Sequence, residues 1–109
     1  MNIKTDIEGG RRVRYVSSAN TVTIDVRDAV VLADITIALP LVASAAGLLF
    51  LIRYIDVGGI GVEKNGSDAA SIIFKHNTAA GVSSVSLAGA GNYVLLYSTG
   101  IYWYALKEG

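Results

Sequence analysis

His76 is the only histidine in the chain, and its imidazole could act as a general base for one of the serines. It lies in the polar stretch 75–78, which is typical of a loop tip, and no Gly-x-Ser-x-Gly elbow accompanies it. A solvated loop histidine is the better interpretation. The sequence therefore predicts no catalytic residue and a chain that is not an enzyme.

Three carboxylates, Asp25, Asp28 and Asp34, are close enough in sequence to suggest an acid–base pair or a calcium site. The EF-hand spacing is missing, and Asp28 is typical of a turn between strands. We interpret all three as structural turn residues, and we predict no metal site.

The glycines at 58, 59 and 61 follow an apolar run, as they would in a phosphate-binding loop. A phosphate cradle also needs a Lys-Ser/Thr pair and the N-terminus of a helix, and neither follows here. We therefore expect no nucleotide or other cofactor.

Arg11, Arg12 and Arg14 form a basic cluster, and guanidinium groups bind carboxylates and phosphates well. Asp6 and Glu8 stand nearby and can neutralise the cluster. A solvated or interface-pairing strand face is favoured over a site for a free anion.

Tyr102, Trp103 and Tyr104 form an aromatic run that could stack against a sugar, as aromatic side chains do on lectin surfaces. Strand alternation would put Trp103 on one face and the two tyrosines on the other. At least one of these faces is expected to be core or subunit interface.

The composition of the chain limits its domain number and the classes of partner it could bind. The chain has 109 residues, 9 Lys+Arg against 9 Asp+Glu, no Cys, and 52% hydrophobic residues. This predicts one folded domain without disulfides, and zero net charge argues against a nucleic-acid partner. A domain this small cannot bury so large an apolar fraction by itself, so a membrane or a subunit interface must cover the excess.

The longest uncharged stretch of the chain distinguishes a membrane span from a subunit interface. Residues 35–52 carry no charge over 18 positions, which approaches the length of a spanning helix. Pro40 interrupts it, and Ile35, Thr36 and Ile37 are β-branched residues in an alternating pattern. No signal peptide is visible in the charged N-terminus. We expect no membrane insertion and predict self-association instead.

Alternating apolar and polar residues recur along most of the chain, with turn signals such as Gly58-Gly59 and Asn65-Gly66 between the runs. The spacing predicts an all-β fold of about 8–10 short strands, arranged as an antiparallel sandwich or a β-barrel or roll. Residues 1–10 are expected to form an N-terminal arm, and residues 11–109 a single β domain.

Four sequence motifs follow one another along the chain. They are ITIALP at 35–40, GLLFLIRYID at 47–56, NGSD at 65–68, and VSL at 85–87 followed by YVLLYSTGIYWY at 93–104. This order resembles the small β-domain of bacteriophage tail fibres, head fibres and capsid-decoration proteins. In that family a Thr-rich strand ends in Leu-Pro, a Gly-x-x-Phe/Tyr-x-Ile-Lys strand follows, and an Asp-Gly-x-x-Trp hairpin closes the domain. Here Ser98-Thr99-Gly100 replaces the Asp-Gly turn.

The resemblance implies an all-β homotrimer in a virion, with apolar strand faces packed between subunits and no enzymatic activity. Because Met1 opens so short a chain, we expect a capsid decoration or head-fibre protein that binds the major capsid protein or another virion protein. Its docking arm would include Arg11, Arg12 and Arg14. The alternative is a tail-fibre-like module that binds a host receptor or surface glycan through Tyr102, Trp103 and Tyr104.

Overall fold

The computed structural model describes residues 4–6, 10–75 and 78–109, and within them it contains twelve strands and no α-helix. The all-β prediction is confirmed, with more and shorter strands than expected. The strands are β1 Lys4–Asp6, β2 Arg12–Val16, β3 Val22–Thr23, β4 Asp28–Ala33, β5 Ile37–Ala38, β6 Leu49–Tyr54, β7 Ile60–Glu63, β8 Ile73–Phe74, β9 Gly81–Val82, β10 Ser84–Leu87, β11 Tyr93–Ser98 and β12 Trp103–Glu108.

These strands form two sheets. The larger has eight strands in the order β1-β2-β4-β6-β11-β12-β8-β9, and the smaller has four in the order β10-β7-β5-β3. The expectation of an antiparallel arrangement is wrong, because both sheets are mixed. β2, β4 and β6 are parallel neighbours in the larger sheet, as are β3, β5 and β7 in the smaller one.

The parallel pairs follow from the path of the chain. From β2 to β7 successive strands alternate between the two sheets, so each return to a sheet starts a strand in the same direction as the last. An antiparallel hairpin follows only where consecutive strands stay in one sheet, as β11 and β12 do. Period-two alternation reports which face of a strand is buried and not the direction of its neighbour.

The buried faces of both sheets share one hydrophobic core. Trp103 is fully buried in this core and meets Phe50 edge to face, with ring centroids 5.4 Å apart. Ile37 and Val62 reach the same core from the four-stranded sheet. Burial of each such side chain stabilises the fold by about 1.5–3 kcal/mol, so these inward faces are the main source of stability.

The uncharged stretch 35–52 does not form a helix. It includes β5, a series of turns over 42–47 and the start of β6. In the part of the chain that the structure describes, no helix is long and apolar enough to cross a membrane.

Candidate functional site

The outward-facing side of the eight-stranded sheet is apolar at its centre. On β6 the side chains of Phe50, Ile52 and Tyr54 are buried in the core, which turns the alternate residues outward. β11 repeats this pattern beside it. Both central strands are therefore apolar on two faces, although the four-stranded sheet covers only the inner one.

Three rows of outward residues cross this side of the sheet, as the strand register shows. We call them together the open face. The arginine row consists of Tyr15, Leu32, Arg53 and Tyr93; the aliphatic row of Val13, Val30, Leu51 and Leu95; and the aromatic row of Leu49, Tyr97, Tyr104 and Phe74. All twelve side chains are half-buried or exposed.

Charge is nearly absent from the open face. Arg53 is its one ionisable cation within the three rows, and it makes no hydrogen bond or ion pair with any residue that the structure describes. Lys107 on β12 pairs with Leu95 and extends the aliphatic row by one position, so a second cation adjoins the three rows. The rest of the face offers water only hydrocarbon and phenol groups.

The outer side of the four-stranded sheet has a different chemistry. Its exposed residues include Thr23, Glu63, Ser84 and Ser86.

The open face has the size of an interaction patch. At strand spacings of about 4.8 Å and about 6.7 Å per residue pair, its twelve positions cover roughly 380 Å² in plan. An apolar patch of about 300–600 Å² is the largest that a monomer usually exposes, and it commonly marks an interaction site.

The predicted surface aromatics separate into two groups. Tyr102 and Tyr104 are exposed, and with Phe74 they form a cluster whose ring centroids lie 5.2 to 6.5 Å apart. Trp103 is 0% exposed, so its assignment as a surface-binding aromatic is wrong. Its ring points inward because strand alternation puts it opposite the two tyrosines.

A cleft of about 540 Å³ adjoins this aromatic cluster. Its lining includes Phe74, Lys75, Thr78, Tyr104 and Leu106. The amine of Lys75 lies 3.7 Å from a carboxylate oxygen of Glu108, so the cleft combines aromatic rings with polar groups at its side.

The predicted docking arginines Arg12 and Arg14 belong to the body of the fold. Their guanidinium groups enclose the carboxylate of Asp28, which is 0% exposed; Arg12 Nε lies 2.5 Å from Oδ1, and Arg14 Nη1 lies 3.0 Å from Oδ2. The backbone N–H of Asp25 donates to the same carboxylate, and its own side chain accepts from Arg12. A contact with a particle cannot use these two side chains without breaking the cluster.

Burial acts to raise the pKa of Asp28, but the N–H of Asp25 and the two guanidinium groups outweigh it, so this pKa lies below its ordinary value. The hydrogen bond to Asp28 is the main reason that the pKa of Arg12 is raised. The cluster is therefore fully charged at neutral pH and stabilises the start of β2 and β4.

Arg11 also has a structural role. Its side chain donates to the carbonyl oxygens of Val26 and Leu49, and its guanidinium carbon lies 4.6 Å from the centroid of the Phe50 ring. Burial lowers its pKa. Of the predicted arm over residues 1–10, the described segment Lys4–Asp6 is an edge strand paired with β2.

Residues 1–3 and 7–9 lie outside the described residues, as does His76. Among the residues that are described, no group of three or more His, Asp or Glu side chains could hold a metal ion. Asp25 and Asp28 do meet, but arginines hold both carboxylates.

Comparison with protein-family models, with curated proteins and with solved structures finds no match to this chain. No relative therefore indicates a function for the surfaces described above.

Sequence reasoning identified the aromatic run but not the open face. A signal for it was present: residues 48–52 and 93–97 are apolar at both odd and even positions. Such continuous runs are typical of strands covered on both faces. The four-stranded sheet covers one face of these strands, and the other face is uncovered in the single chain.

Proposed function

We propose that the chain is a non-enzymatic structural protein of a virion, a capsid decoration or head-fibre protein that assembles as a homotrimer and binds the particle surface. The observation that supports self-association is the open face, with eleven uncharged apolar or aromatic residues among its twelve. The resemblance of the strand and turn motifs to phage appendage domains supports the virion setting.

Burial of this face is the main favourable contribution to the proposed assembly. At about 25 cal/mol per Å², covering roughly 380 Å² yields on the order of 10 kcal/mol per copy. Association costs about 4–15 kcal/mol in lost translational and rotational freedom. The gain falls within the range of this cost, and the proposed assembly therefore also needs contacts beyond these twelve residues, since stable interfaces commonly bury about 800 Å² per partner.

The outer side of the four-stranded sheet remains available in such an assembly. Its exposed Thr23, Glu63, Ser84 and Ser86 are polar, as expected of a surface that stays in water or makes wet contacts. In the proposed trimer this side points outward, and particle contacts would come from it or from the ends of the sandwich.

Native mass and particle binding test the proposal together. The purified chain, of 11.4 kDa, is measured by light scattering after size exclusion. It is then sedimented with capsids assembled from the major capsid protein of the same genome. A trimer that sediments with the capsids is expected, and a monomer that stays in the supernatant would overturn the proposal.

A second candidate function is a module that binds a host receptor or surface glycan. The observation that favours it is the exposed cluster of Tyr102, Tyr104 and Phe74 beside the polar-sided cleft. Aromatic faces stack on the apolar side of sugar rings while neighbouring polar groups bind hydroxyls.

Binding to immobilised bacterial surface polysaccharides distinguishes this candidate. A glycan-binding module would lose affinity at least tenfold on Tyr102→Ala, and the exposed Ser86→Ala variant is the matched control. Quenching of Trp103 fluorescence is no substitute, because that ring is buried in either case.

A further inference from the structure

β10 is the outermost strand of the four-stranded sheet, and one of its two edges pairs with no described strand. We call this the free edge. The other edge pairs antiparallel with β7, with Val85 opposite Val62 and Leu87 opposite Ile60. The unpaired edge of a sheet presents backbone N–H and C=O groups in the geometry that a further strand needs.

The backbone bonds of β7 show which residues of β10 point to the free edge. The N–H of Lys64 donates to the carbonyl oxygen of Ser83 at 2.9 Å, so Lys64 bonds toward β10. Glu63 bonds the other way, because its carbonyl oxygen accepts from the residue that follows β5 at 2.8 Å. Bonded and non-bonded pairs alternate along an antiparallel ladder. Ser84, which lies opposite Glu63, and Ser86 therefore turn their N–H and C=O groups to the free edge.

The free edge lacks the features that usually prevent strand addition. Both serines are exposed, and among the described residues no hydrogen bond engages their backbone groups. Edge strands are normally protected by charges, proline, a bulge or a very short length. β10 reads Ser-Val-Ser-Leu and pairs with β7 without a register shift. By contrast, β1 contains two charged residues in its sequence of three, and β3 and β9 are two residues long.

A polar cleft of about 290 Å³ adjoins the start of the free edge, and its lining consists of Glu63, Lys64, Gly66, Ser83 and Ser84. The Lys64 amine already donates to two backbone carbonyl oxygens, at 3.0 and 3.3 Å. The exposed carboxylate of Glu63 makes no hydrogen bond or ion pair with any residue that the structure describes. Because Ser84 is small and lies opposite Glu63, a long side chain from beyond the free edge can reach this carboxylate.

We propose that β10 accepts an extended segment of a capsid protein as a fifth strand of the smaller sheet, and that a lysine or arginine of that segment binds Glu63. This inference rests on the particle binding proposed above, and it adds the place of the contact, its backbone pairing and the charge of the partner. Backbone bonds to Ser84 and Ser86 supply affinity, and the contact with Glu63 supplies specificity.

A second copy of this chain fits the free edge less well than such a segment. β10 contains no basic residue, so pairing of two β10 strands would leave Glu63 of both copies without a counter-ion. A basic segment supplies that counter-ion. The polar outer side of the smaller sheet remains available when the open face is covered, so both contacts can form in one assembly.

Proline substitution at the free edge tests the backbone pairing. Ser86→Pro removes an N–H that points away from β7, and proline is tolerated on edge strands at such positions. Sedimentation over a range of concentrations of capsids, assembled from the major capsid protein of the same genome, measures the apparent affinity. We expect at least a tenfold loss with Ser86→Pro and no loss with Ser86→Ala, which keeps the N–H. Thermal unfolding checks that each variant folds.

Removal of one carboxylate tests the charge of the partner. Glu63→Gln should lower the affinity about threefold and make it less sensitive to salt, as expected for a partly exposed ion pair. Asp56→Asn is the matched control, because Asp56 is an exposed carboxylate away from β10. It should leave the affinity unchanged. Equal losses in the two variants would mean that net charge, and not a contact at Glu63, attracts the capsid.

Hydrogen exchange locates the contact without any substitution. The amides of Ser84 and Ser86 should exchange rapidly in the free chain and slowly on capsids. Those of Val85 and Leu87, which face β7, should be slow in both states. This measurement decides alone if Ser86→Pro does not fold.

Other outcomes contradict the inference in identifiable ways. Capsid binding without protection of Ser84 and Ser86 would leave the proposed particle binding intact but move the contact elsewhere. Protection in the free chain that increases with its concentration would make the occupant a second copy. A chain that does not sediment with capsids would reject both proposals.

Discussion

Arg12 and Asp28 form a buried ion pair at the edge of the core, with Arg12 Nε 2.5 Å from Asp28 Oδ1 and both side chains at most 9% exposed. They begin two neighbouring parallel strands, β2 and β4, and pair in the register of those strands. Arg14 binds the second oxygen of the same carboxylate. The carboxylate of Asp28 therefore links two arginines of β2 to the start of β4.

Asp28→Asn should destabilise the fold by about 3–5 kcal/mol, because it leaves two guanidinium groups at a site built for a carboxylate. Urea unfolding at pH 7 measures the loss. Asp34→Asn is the matched control, since it removes a carboxylate whose partner Ser17 is exposed, and it should cost about 1 kcal/mol. Equal losses in the two variants would contradict the role assigned to Asp28.

The Asp28 contribution should depend on pH in a defined direction. The folded pKa of Asp28 lies below the unfolded value of about 3.9, so its stabilisation is complete above that value and is lost as the pH falls through the folded pKa. The stability difference between wild type and Asp28→Asn should be constant from pH 5 to 7 and shrink below about pH 4. A difference that already shrank above pH 5 would mean that burial had raised this pKa.

The sequence predicted the all-β class because a strand packed on the core buries every second side chain, as β6 and β11 do. It could not predict that β2, β4 and β6 are parallel. Parallel and antiparallel strands show the same alternation, and the difference depends on the crossings through β3 and β5, which are only two residues long.

The candidate site was predictable only in part. Alternation correctly separated Trp103 from Tyr102 and Tyr104, but it did not tell which face was core. The arginines at 11, 12 and 14 formed a basic cluster in the sequence, whereas their carboxylate and carbonyl partners come from residues 25–28 and 49. Pairing between segments so far apart leaves no local pattern.

Ser98 should be sensitive to loss of its hydroxyl group. It is fully buried on β11, where Oγ donates to the carbonyl of Val42 at 2.7 Å and accepts from the N–H of Gly100 at 3.1 Å. Ser98→Ala leaves both partners without this contact and should cost about 1–3 kcal/mol. Thermal unfolding measures this cost, and Ser86→Ala, on the exposed side of β10, should change stability by less than about 0.5 kcal/mol.

The aliphatic row should be the most sensitive part of the open face to a charge. Leu51 is half-buried in the middle of that row, between Val30 and Leu95. Leu51→Asp places a carboxylate where the proposed assembly excludes water, so it should convert the trimer to a monomer of about 11.4 kDa while the core on the other side of β6 stays packed. Sedimentation velocity gives the mass, and the near-UV signal of buried Trp103 reports whether the core is intact.

Ser86→Asp is the matched control for this variant, because it adds the same charge to the polar side of the four-stranded sheet. It should leave the mass of the assembly unchanged. A Leu51→Asp protein that kept both the trimer mass and the Trp103 signal would show that the open face is not the subunit interface. A trimer lost equally in both variants would indicate that net charge, and not the position of the carboxylate, controls assembly. The expected result is a trimer lost only with Leu51→Asp, since only there must the carboxylate be desolvated in the assembled state.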